Sequence, residues 1–354
     1  MTHSGGSYPA SELQQFLANA FMALDVPEVD SQAVAGLMAE ADLLGYDTHG
    51  SVRLRQYVNR LRDGGNNPKA EVHTAVEQAS TAIVDGDNGL GHLAMRHATD
   101  LAVEKARTSG IGWVGVRNGN HAGPASLYVN MVAKQDMIGI VGAVGSANHV
   151  APFGGTELLL GTNPLAIAIP AGKEPSFVLD MATTTAAAGK IKVLAQRGEQ
   201  MPEGWMVDRE GNPLTDPTRQ SEGLLLPIGG AKGYGLAMAI GLLAGTLNQA
   251  AFGRDVVNFT KETATPTNTG QFVAAVSVAA FADVQTFKDT ADAIFASFRE
   301  SEHFPGGDPV RIPGQERGNI RRERLENGIP LHANLAKALA EIAAELNIPA
   351  MSGS

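Results

Sequence analysis

The chain has 354 residues, 44% of them apolar and 18% charged, a formal net charge of −10 and no cysteine. A chain of this size buries a substantial core over more than one lobe. Without cysteine there are no disulfides, thiolate metal ligands or thiol nucleophiles, so chemistry falls to His, Asp, Lys, Ser or a cofactor. The acidic balance argues against a nucleic-acid partner. No apolar run approaches the ~20 residues of a membrane span, and Met1 to Gly6 lack the basic and apolar stretches of a secretory signal. A cytoplasmic location with no membrane partner is the expectation.

In chain order, Ser11-Glu12-Leu13-Gln14 reads as a capping box opening a helix with Leu13, Phe16, Leu17, Phe21 and Leu24 inward. A second helix is expected from Asp30 to Leu44. A third starts at Thr48 or Gly50 and stops at Gly64-Gly65. From Thr81 the pattern becomes short apolar runs cut by Gly and Pro: Thr81 to Val84, Ile111 to Val116, Met137 to Val144, Leu165 to Ile169, Phe177 to Leu179 and Phe272 to Phe281. These predict strands of a mixed sheet. Helices are expected at His92 to Thr108, Ala125 to Lys134, Tyr234 to Leu247 and Asp289 to Arg299. The Arg317 to Arg324 run reads as a solvated helix face. Leu335, Leu339, Ile342 and Leu346 mark a final amphipathic helix returning to the N-terminal lobe.

Gly89-Leu90-Gly91-His92-Leu93-Ala94 fits the G-x-G-x-x-A dinucleotide fingerprint between a strand and a helix. The fingerprint also needs an acidic residue after the next strand, whereas Arg117 and Asn118 stand there. Arg117 could face an NADP phosphate, but regular βαβ alternation is missing, and a turn joining strand to helix is the preferred reading.

Candidate chemistry lies elsewhere. With Thr48 as N-cap, His49, Arg53 and Tyr57 follow at i+4 steps on one helix face, where a helix N-terminus and a guanidinium suit an organic carboxylate. His121 lies in the Gly-flanked loop Asn118-Gly119-Asn120-His121-Ala122-Gly123-Pro124. An imidazole there can exchange the proton that accompanies hydride transfer. Metal ligation has no supporting spacing. Asp180 can accept from ribose hydroxyls, orient a histidine or cap the next helix. The Gly229-Gly230-Ala231-Lys232-Gly233 loop suits a pyrophosphate, though it is not a Walker sequence.

Taken in order, Asp47-Thr48-His49-Gly50 with Arg53, Asn120-His121-Ala122-Gly123, Ala151-Pro152-Phe153-Gly154-Gly155, Gly161-Thr162-Asn163-Pro164-Leu165, Leu179-Asp180-Met181-Ala182-Thr183, Lys232-Gly233-Tyr234-Gly235 and Pro313-Gly314-Gln315 resemble the type 2 malate/L-lactate dehydrogenase family. That family also includes ureidoglycolate, sulfolactate and diketogulonate dehydrogenases and cyclic-imine reductases. The resemblance spans nearly the whole chain. It implies an α/β (α+β) fold that is not a Rossmann fold. It further implies that a mixed, largely antiparallel sheet domain binds NAD or NADP, that a helical lobe gathers both chain ends, and that two subunits form a homodimer.

Its division would be 1–76 as the helical N-terminal lobe, 77–120 as a connecting segment, 121–300 as the NAD(P)-binding sheet domain and 301–354 as the returning helical segment. The resemblance implies His121 as the proton-transfer histidine and Thr48, His49 and Arg53 as the substrate-facing helix start, with His49 the second catalytic candidate beside His121 and Tyr57 a further substrate-side residue. Ser146, Asp180, Met181, Ala182, Lys232, Gly314, Gln315 and Glu316 match dinucleotide contacts. Two departures stand out: Thr48 where many members have serine, and Gln315 where many have glutamate, which bears on NAD against NADP. The expected reaction interconverts a small anionic 2-hydroxy acid and its 2-keto acid by hydride transfer. The rivals are a cyclic-imine reductase and a non-enzymatic dinucleotide-binding protein.

Overall fold

The computed structural model describes residues 6–352; the rest of the N-terminal stretch read for a signal, Met1 to Gly5, lies outside the described residues. Its elements in order are β1 (Ser7–Tyr8), α1 (Ala10–Met22), α2 (Glu28–Leu43), α3 (Leu54–Asp63), β2 (His73–Glu77), β3 (Thr81–Asp85), α4 (Gly91–Ser109), β4 (Ile111–Gly119), α5 (Ser126–Ala133), β5 (Met137–Ala143), β6 (Leu165–Ile169) and β7 (Phe177–Met181). Then follow α6 (Ala188–Arg197), β8 (Met206–Val207), β9 (Leu224–Leu225), α7 (Ala231–Ala244), β10 (Thr269–Ser277), α8 (Val284–Arg299), α9 (Gln315–Asn327), β11 (Ile329–Pro330) and α10 (Ala333–Leu346).

The main sheet has seven strands in the order β2-β3-β4-β10-β5-β6-β7. Only β3 and β4 run parallel, joined through α4 as one βαβ unit; every other pairing is antiparallel. The fold is therefore mixed α/β with a mainly antiparallel sheet. Side-chain alternation separates two faces. Val114, Val116, Val273 and Ala275 pack with Ala94, Ala98 and Ala102 of α4 and with Val129 and Val132 of α5. On the other face Trp113 stacks on Phe272 at 4.5 Å, and Phe272 packs with Ala244 of α7. Glycine leaves room there: a Cβ on Gly115 would overlap the Asn248 side-chain amide. That amide donates to Ala244 O (2.7 Å) and Gln271 O (2.9 Å), tying the end of α7 to the sheet.

A second core is helical. Leu13, Leu17 and Phe21 of α1, Val34 and Met38 of α2, Leu54, Val58 and Leu61 of α3, and Leu339 and Ile342 of α10 pack together, and β1 pairs with β11. The two chain ends thus meet in one cluster.

Two sequence expectations, the cap of α1 and the solvated face of α9, are corrected. Helix α1 begins at Ala10 behind Pro9 with no side-chain cap, so Ser11 sits inside the first turn rather than capping it. The Arg317 to Arg324 run is not a solvated face. Arg317, Arg321 and Arg324 share one side of α9 and reach α2, to the carbonyls of Leu44 and Gly45, to Glu40, and to Asp42 O and Asp47. Cations there complement the free carbonyls of a helix C-terminus. Arg117 pairs with Asp85 at 3.0 Å and donates to Gln249, so it is not waiting for a phosphate.

The Gly89-Leu90-Gly91 turn answers a packing need. A Cβ at Gly91 would overlap the Asn120 carbonyl oxygen and come within 2.7 Å of His121 O, so glycine lets the start of α4 lie against the His121 loop. Gly91→Ala should lower the unfolding midpoint by an amount equivalent to about 1–3 kcal/mol while leaving NAD(P) affinity of the folded fraction unchanged. Thermal unfolding and calorimetric titration read the two effects separately.

Candidate active site

Three segments converge on His121. The first is the turn after α2. Thr48 was expected to cap the next helix, but that role belongs to Asp42: its carboxylate accepts from Ser51 N (2.8 Å), and a Cβ on Gly50 would run into it. The chain makes a 3₁₀ turn at Ser51–Arg53 before α3 begins, so His49, Arg53 and Tyr57 do not lie on one continuous helix. Thr48 Oγ1 instead bonds His49 Nδ1 at 2.7 Å. Arg53 Nε donates to Thr48 O (2.7 Å) and Nη1 to Gln56 (2.7 Å).

The second segment is the loop from β4 to α5. Asn120 is fully buried: Nδ2 donates to Asn88 Oδ1 (3.0 Å) and Gly89 O (2.9 Å), and Oδ1 accepts from Thr267 Oγ1 (2.8 Å). Gln271 Nε2 of β10 donates to Asn120 O at 2.9 Å. His121 then projects against the first segment. Its Nδ1 lies 2.6 Å from Tyr57 Oη, and its ring stacks on His49 at 5.6 Å and 18°. The third segment supplies Phe259, whose ring is 5.3 Å from His121 and whose N–H donates to Ser146 O.

Arg60 holds these segments together and was not legible as a site residue. It is fully buried on α3, donating to Asn66 Oδ1, Gly65 O, Glu262 O and Thr265 O at 2.8 Å, and it lies 4.7 Å over Phe259. His92, at the start of α4, is the other omission: fully buried and edge-on to Tyr57 at 5.6 Å.

Burial governs the electrostatics. His121 is held well below the usual imidazole range by desolvation, with Arg53, His49 and His92 adding to it. Desolvation likewise takes His49 to about 4 and His92 to about 3. The Tyr57 phenol is pushed up by the same cause, so it stays protonated. All three imidazoles are neutral at pH 7.

The residues expected at the dinucleotide link to this centre in steps. Asp180 Oδ2 caps the start of α5 by accepting from Ser126 N (2.9 Å), five residues beyond His121, and burial raises its carboxyl. It does not cap the helix after it. Met181 and Ala182 follow, and Thr183 accepts from Ile228 N at 3.0 Å, which leads to Gly229, Gly230 and Lys232 at the start of α7. Lys232 is exposed and forms no ion pair among the described residues. A cleft of about 350 Å³ opens beside it between Phe153, Pro227 and Gly230. Gly314, at φ +93°, lies against Val178 of β7, and Val178 N donates to Pro313 O, which brings Gln315 and Glu316 to the edge of that strand. Glu316 pairs with Arg311. Among the described residues no cluster of His, Asp and Glu could hold a metal, and no helix is long and apolar enough to cross a membrane.

Comparison with known proteins gives a consistent result. The sequence model of the family described as malate/L-lactate dehydrogenase matches residues 8–340. The L-sulfolactate dehydrogenase of Methanocaldococcus jannaschii is 39% identical over 328 residues, 91% of this chain and 92% of that protein. The NAD(+) ureidoglycolate dehydrogenase of Escherichia coli strain K12 is 32% identical over 319 residues, 90% of each chain. The solved sulfolactate dehydrogenase of Methanocaldococcus jannaschii superposes with a TM-score of 0.91 at 35% identity, covering 98% of this chain and 99% of that one.

The depressed imidazoles have a consequence for stability. Between about pH 6.5 and pH 4 the unfolded chain takes up protons on His49, His92 and His121 that the folded chain refuses, so stability falls as pH drops through that window. Asp42, raised to about 7 by burial, and Asp180 act in the opposite sense, because the folded chain keeps their protons. Asp30 is raised by burial too, whereas Asp85, held low against desolvation by hydrogen bonds from Asn118 and the Asp87 amide, sides with the imidazoles, and the expected balance is a net loss. Urea midpoints from pH 7 to 4.5 should decrease steadily; a flat profile would contradict neutral buried imidazoles.

Proposed function

The chain belongs to the malate/L-lactate dehydrogenase family, and on that premise we propose that His121 exchanges the hydroxyl proton of a small 2-hydroxy acid whose carboxylate is bound by Arg53. The protein is an NAD(P)-dependent hydroxyacid dehydrogenase that interconverts hydroxy acid and keto acid. The observation that supports these roles is the grouping of His121, His49, Tyr57 and Arg53 in mutual reach.

The residues divide the work by their remaining valences. His121 has Nδ1 engaged by Tyr57, so Nε2 is the atom for the substrate proton. The imidazole begins neutral, as a base must. Arg53 has Nε and Nη1 engaged, which leaves Nη2 for a carboxylate oxygen in a desolvated setting. His49, turned by Thr48 and uncharged, offers a further polar contact without competing for the proton. Tyr57 is buried and acts through His121.

The dinucleotide supplies the hydride acceptor. Exposed Lys232, ahead of which Gly229 and Gly230 adopt positive φ at the start of a 14-residue helix, fits its anionic portion. Ser146, Asp180, Met181, Ala182, Gly314, Gln315 and Glu316 make up the rest of the proposed contact surface, with Asp180 acting chiefly to fix α5 and the loop before it. Residues 1–76 and 301–354 form the helical lobe in this reading, 77–120 connects, and 121–300 carries the cofactor. The architecture is distinct from a Rossmann fold and its setting is the cytoplasm.

His121→Ala should lower kcat by roughly 10² to 10⁴ with cofactor affinity nearly intact. Arg53→Lys should reduce kcat/KM sharply, because an ammonium cannot hold Thr48 O, Gln56 and the substrate carboxylate in the fixed planar geometry of the guanidinium. Absorbance at 340 nm with malate, lactate, sulfolactate and ureidoglycolate, each with NAD and NADP, is the assay. Normal turnover in the first variant would remove His121 from the reaction.

The active unit is proposed to be a homodimer that covers the outer face of α7 and the turn after it, where Met238 and Leu242 of the helix are 40% and 46% exposed and Leu247 of the turn is 57% exposed. Leu242→Glu should convert a dimer to monomer in sedimentation velocity; an unchanged dimer would place the interface elsewhere.

A further inference from the structure

Gly189 is the second residue of α6, a place where alanine would serve the helix better than glycine. Its surroundings explain the choice. A Cβ on Gly189 would stand 2.9 Å from Thr48 Cγ2 and 3.5 Å from Thr48 Cβ, and among the described residues no other atom outside α6 comes within 4 Å. The first turn of α6 therefore rests on the residue that opens the 48–57 segment.

The backbones on both sides of this contact are held. Ile191, two positions on, is fully buried with Val150, Leu160, Met206 and Leu225, which ties the start of α6 to its own core. The Thr48 carbonyl accepts from Arg53 Nε at 2.7 Å, and His49 N donates to Tyr46 O at 2.9 Å. What can move is the Thr48 side chain, whose Cβ carries both the methyl and the hydroxyl. A staggered rotation that took Cγ2 away from position 189 would also take Oγ1 away from His49 Nδ1, which it meets at 2.7 Å. The methyl and the hydrogen bond share one rotor.

We propose that Gly189 is a positioning residue: α6, bare at this point, lets Thr48 keep the rotamer whose hydroxyl holds the His49 ring in its stacked setting against His121. The inference rests on the assignment of His49 as a polar contact of the hydroxy acid, and it names what keeps that ring in place. His49 lies 5.6 Å from His121 between ring centres and at 18° to it, so a ring released from Thr48 would carry its polar edge away from the substrate. The side chains at 48 and 189 are sterically coupled. Serine at 48 keeps the hydroxyl and removes the methyl, and a Cβ at 189 would then face the residue-48 Cβ at 3.5 Å, an ordinary van der Waals separation.

The test is a double-mutant cycle of Gly189→Ala, Thr48→Ser and the two combined, with Thr48→Val alongside. Each variant is read by kcat/KM with the best substrate of the malate, lactate, sulfolactate and ureidoglycolate panel, by NAD(P)H affinity, by melting temperature and by the ¹⁵N shift of His49 Nδ1, assigned by its absence from His49→Ala. Gly189→Ala should move that shift from its wild-type value and lower kcat/KM roughly 10- to 100-fold with NAD(P)H affinity unchanged. Thr48→Val, which keeps the shape and drops the hydroxyl, should move the shift and lower kcat/KM to a similar extent without touching α6. In the serine background the alanine should cost nothing, so the double variant should match Thr48→Ser alone. A purely structural glycine predicts a lower melting temperature with the His49 shift and the kcat/KM of the folded enzyme unaltered, and that result overturns the proposal. So does an alanine penalty of equal size in the serine and threonine backgrounds. Should Gly189→Ala fail to fold, the double variant decides, because removing the methyl rescues it only if Thr48 is what the alanine strikes. Unchanged turnover in His49→Ala would overturn the assignment beneath the inference, whereas an impaired His49→Ala beside an unaltered Gly189→Ala rejects the role of Gly189 alone.

Discussion

One buried guanidinium sets the geometry of the centre. Arg60 has no carboxylate within bonding reach among the described residues, and it uses its donors on carbonyl oxygens from two loops and on the Asn66 amide. A cation buried this way is tolerated because each N–H meets a fixed dipole. The arrangement has a directional result. Helix α3, which carries Tyr57, is locked to the loop that carries Phe259, and both press on His121 from separate sides. Removing the guanidinium would leave several buried carbonyls unpaired at once, a larger loss than that of any one contact.

Four further charged side chains, Asp42, Asp180, Arg317 and Arg324, also bind backbone groups. Asp42 caps the turn that presents Arg53, and Asp180 caps the helix that follows His121. Arg317 and Arg324 close the C-terminus of α2, just before Thr48. Each joins the end of one element to the middle of another, so the reactive loops are held without regular secondary structure of their own. The same economy explains why so many polar residues near His121 are buried: Asn120, Thr267 and Gln271 are linked by hydrogen bonds from Thr267 Oγ1 to Asn120 Oδ1 and from Gln271 Nε2 to Asn120 O, although Gln271 Oε1 is left without a partner. His92, with both ring nitrogens unpartnered, departs further from that pattern.

Much of the fold was legible in the sequence because its elements obey simple periods. The 165–169 strand matches its apolar run, and the strands at Thr81 and Ile111 begin where the pattern predicts. β2 was not found, since His73 to Glu77 is largely polar and mostly open to solvent. Asp42 sits on the inward stripe of α2, where a carboxylate reads as an interruption. Arg60 lies on an amphipathic helix whose other arginines are on the polar face, so nothing local distinguishes it. His121 was recognisable from its Gly-flanked loop, whereas the partner of its Nδ1 required the tertiary structure. The start of the 48–57 segment was misjudged for a related reason: the capping carboxylate is six residues earlier than Thr48, on another helix.

Strand β10 occupies the middle of the sheet, between β4 and β5, although both of those strands precede it by well over a hundred residues. During synthesis β2-β3-β4 and β5-β6-β7 emerge first as two half-sheets, each with an open edge of unpaired amides. Closure requires a long loop to return, which is slow on entropic grounds. The Asn120 carbonyl cannot receive Gln271, nor Arg60 the carbonyls of the 259–265 loop, until that late segment inserts. The nascent chain therefore remains dependent on protection from edge-to-edge association until nearly four-fifths of it has been made, and catalytic competence is among the last properties it acquires.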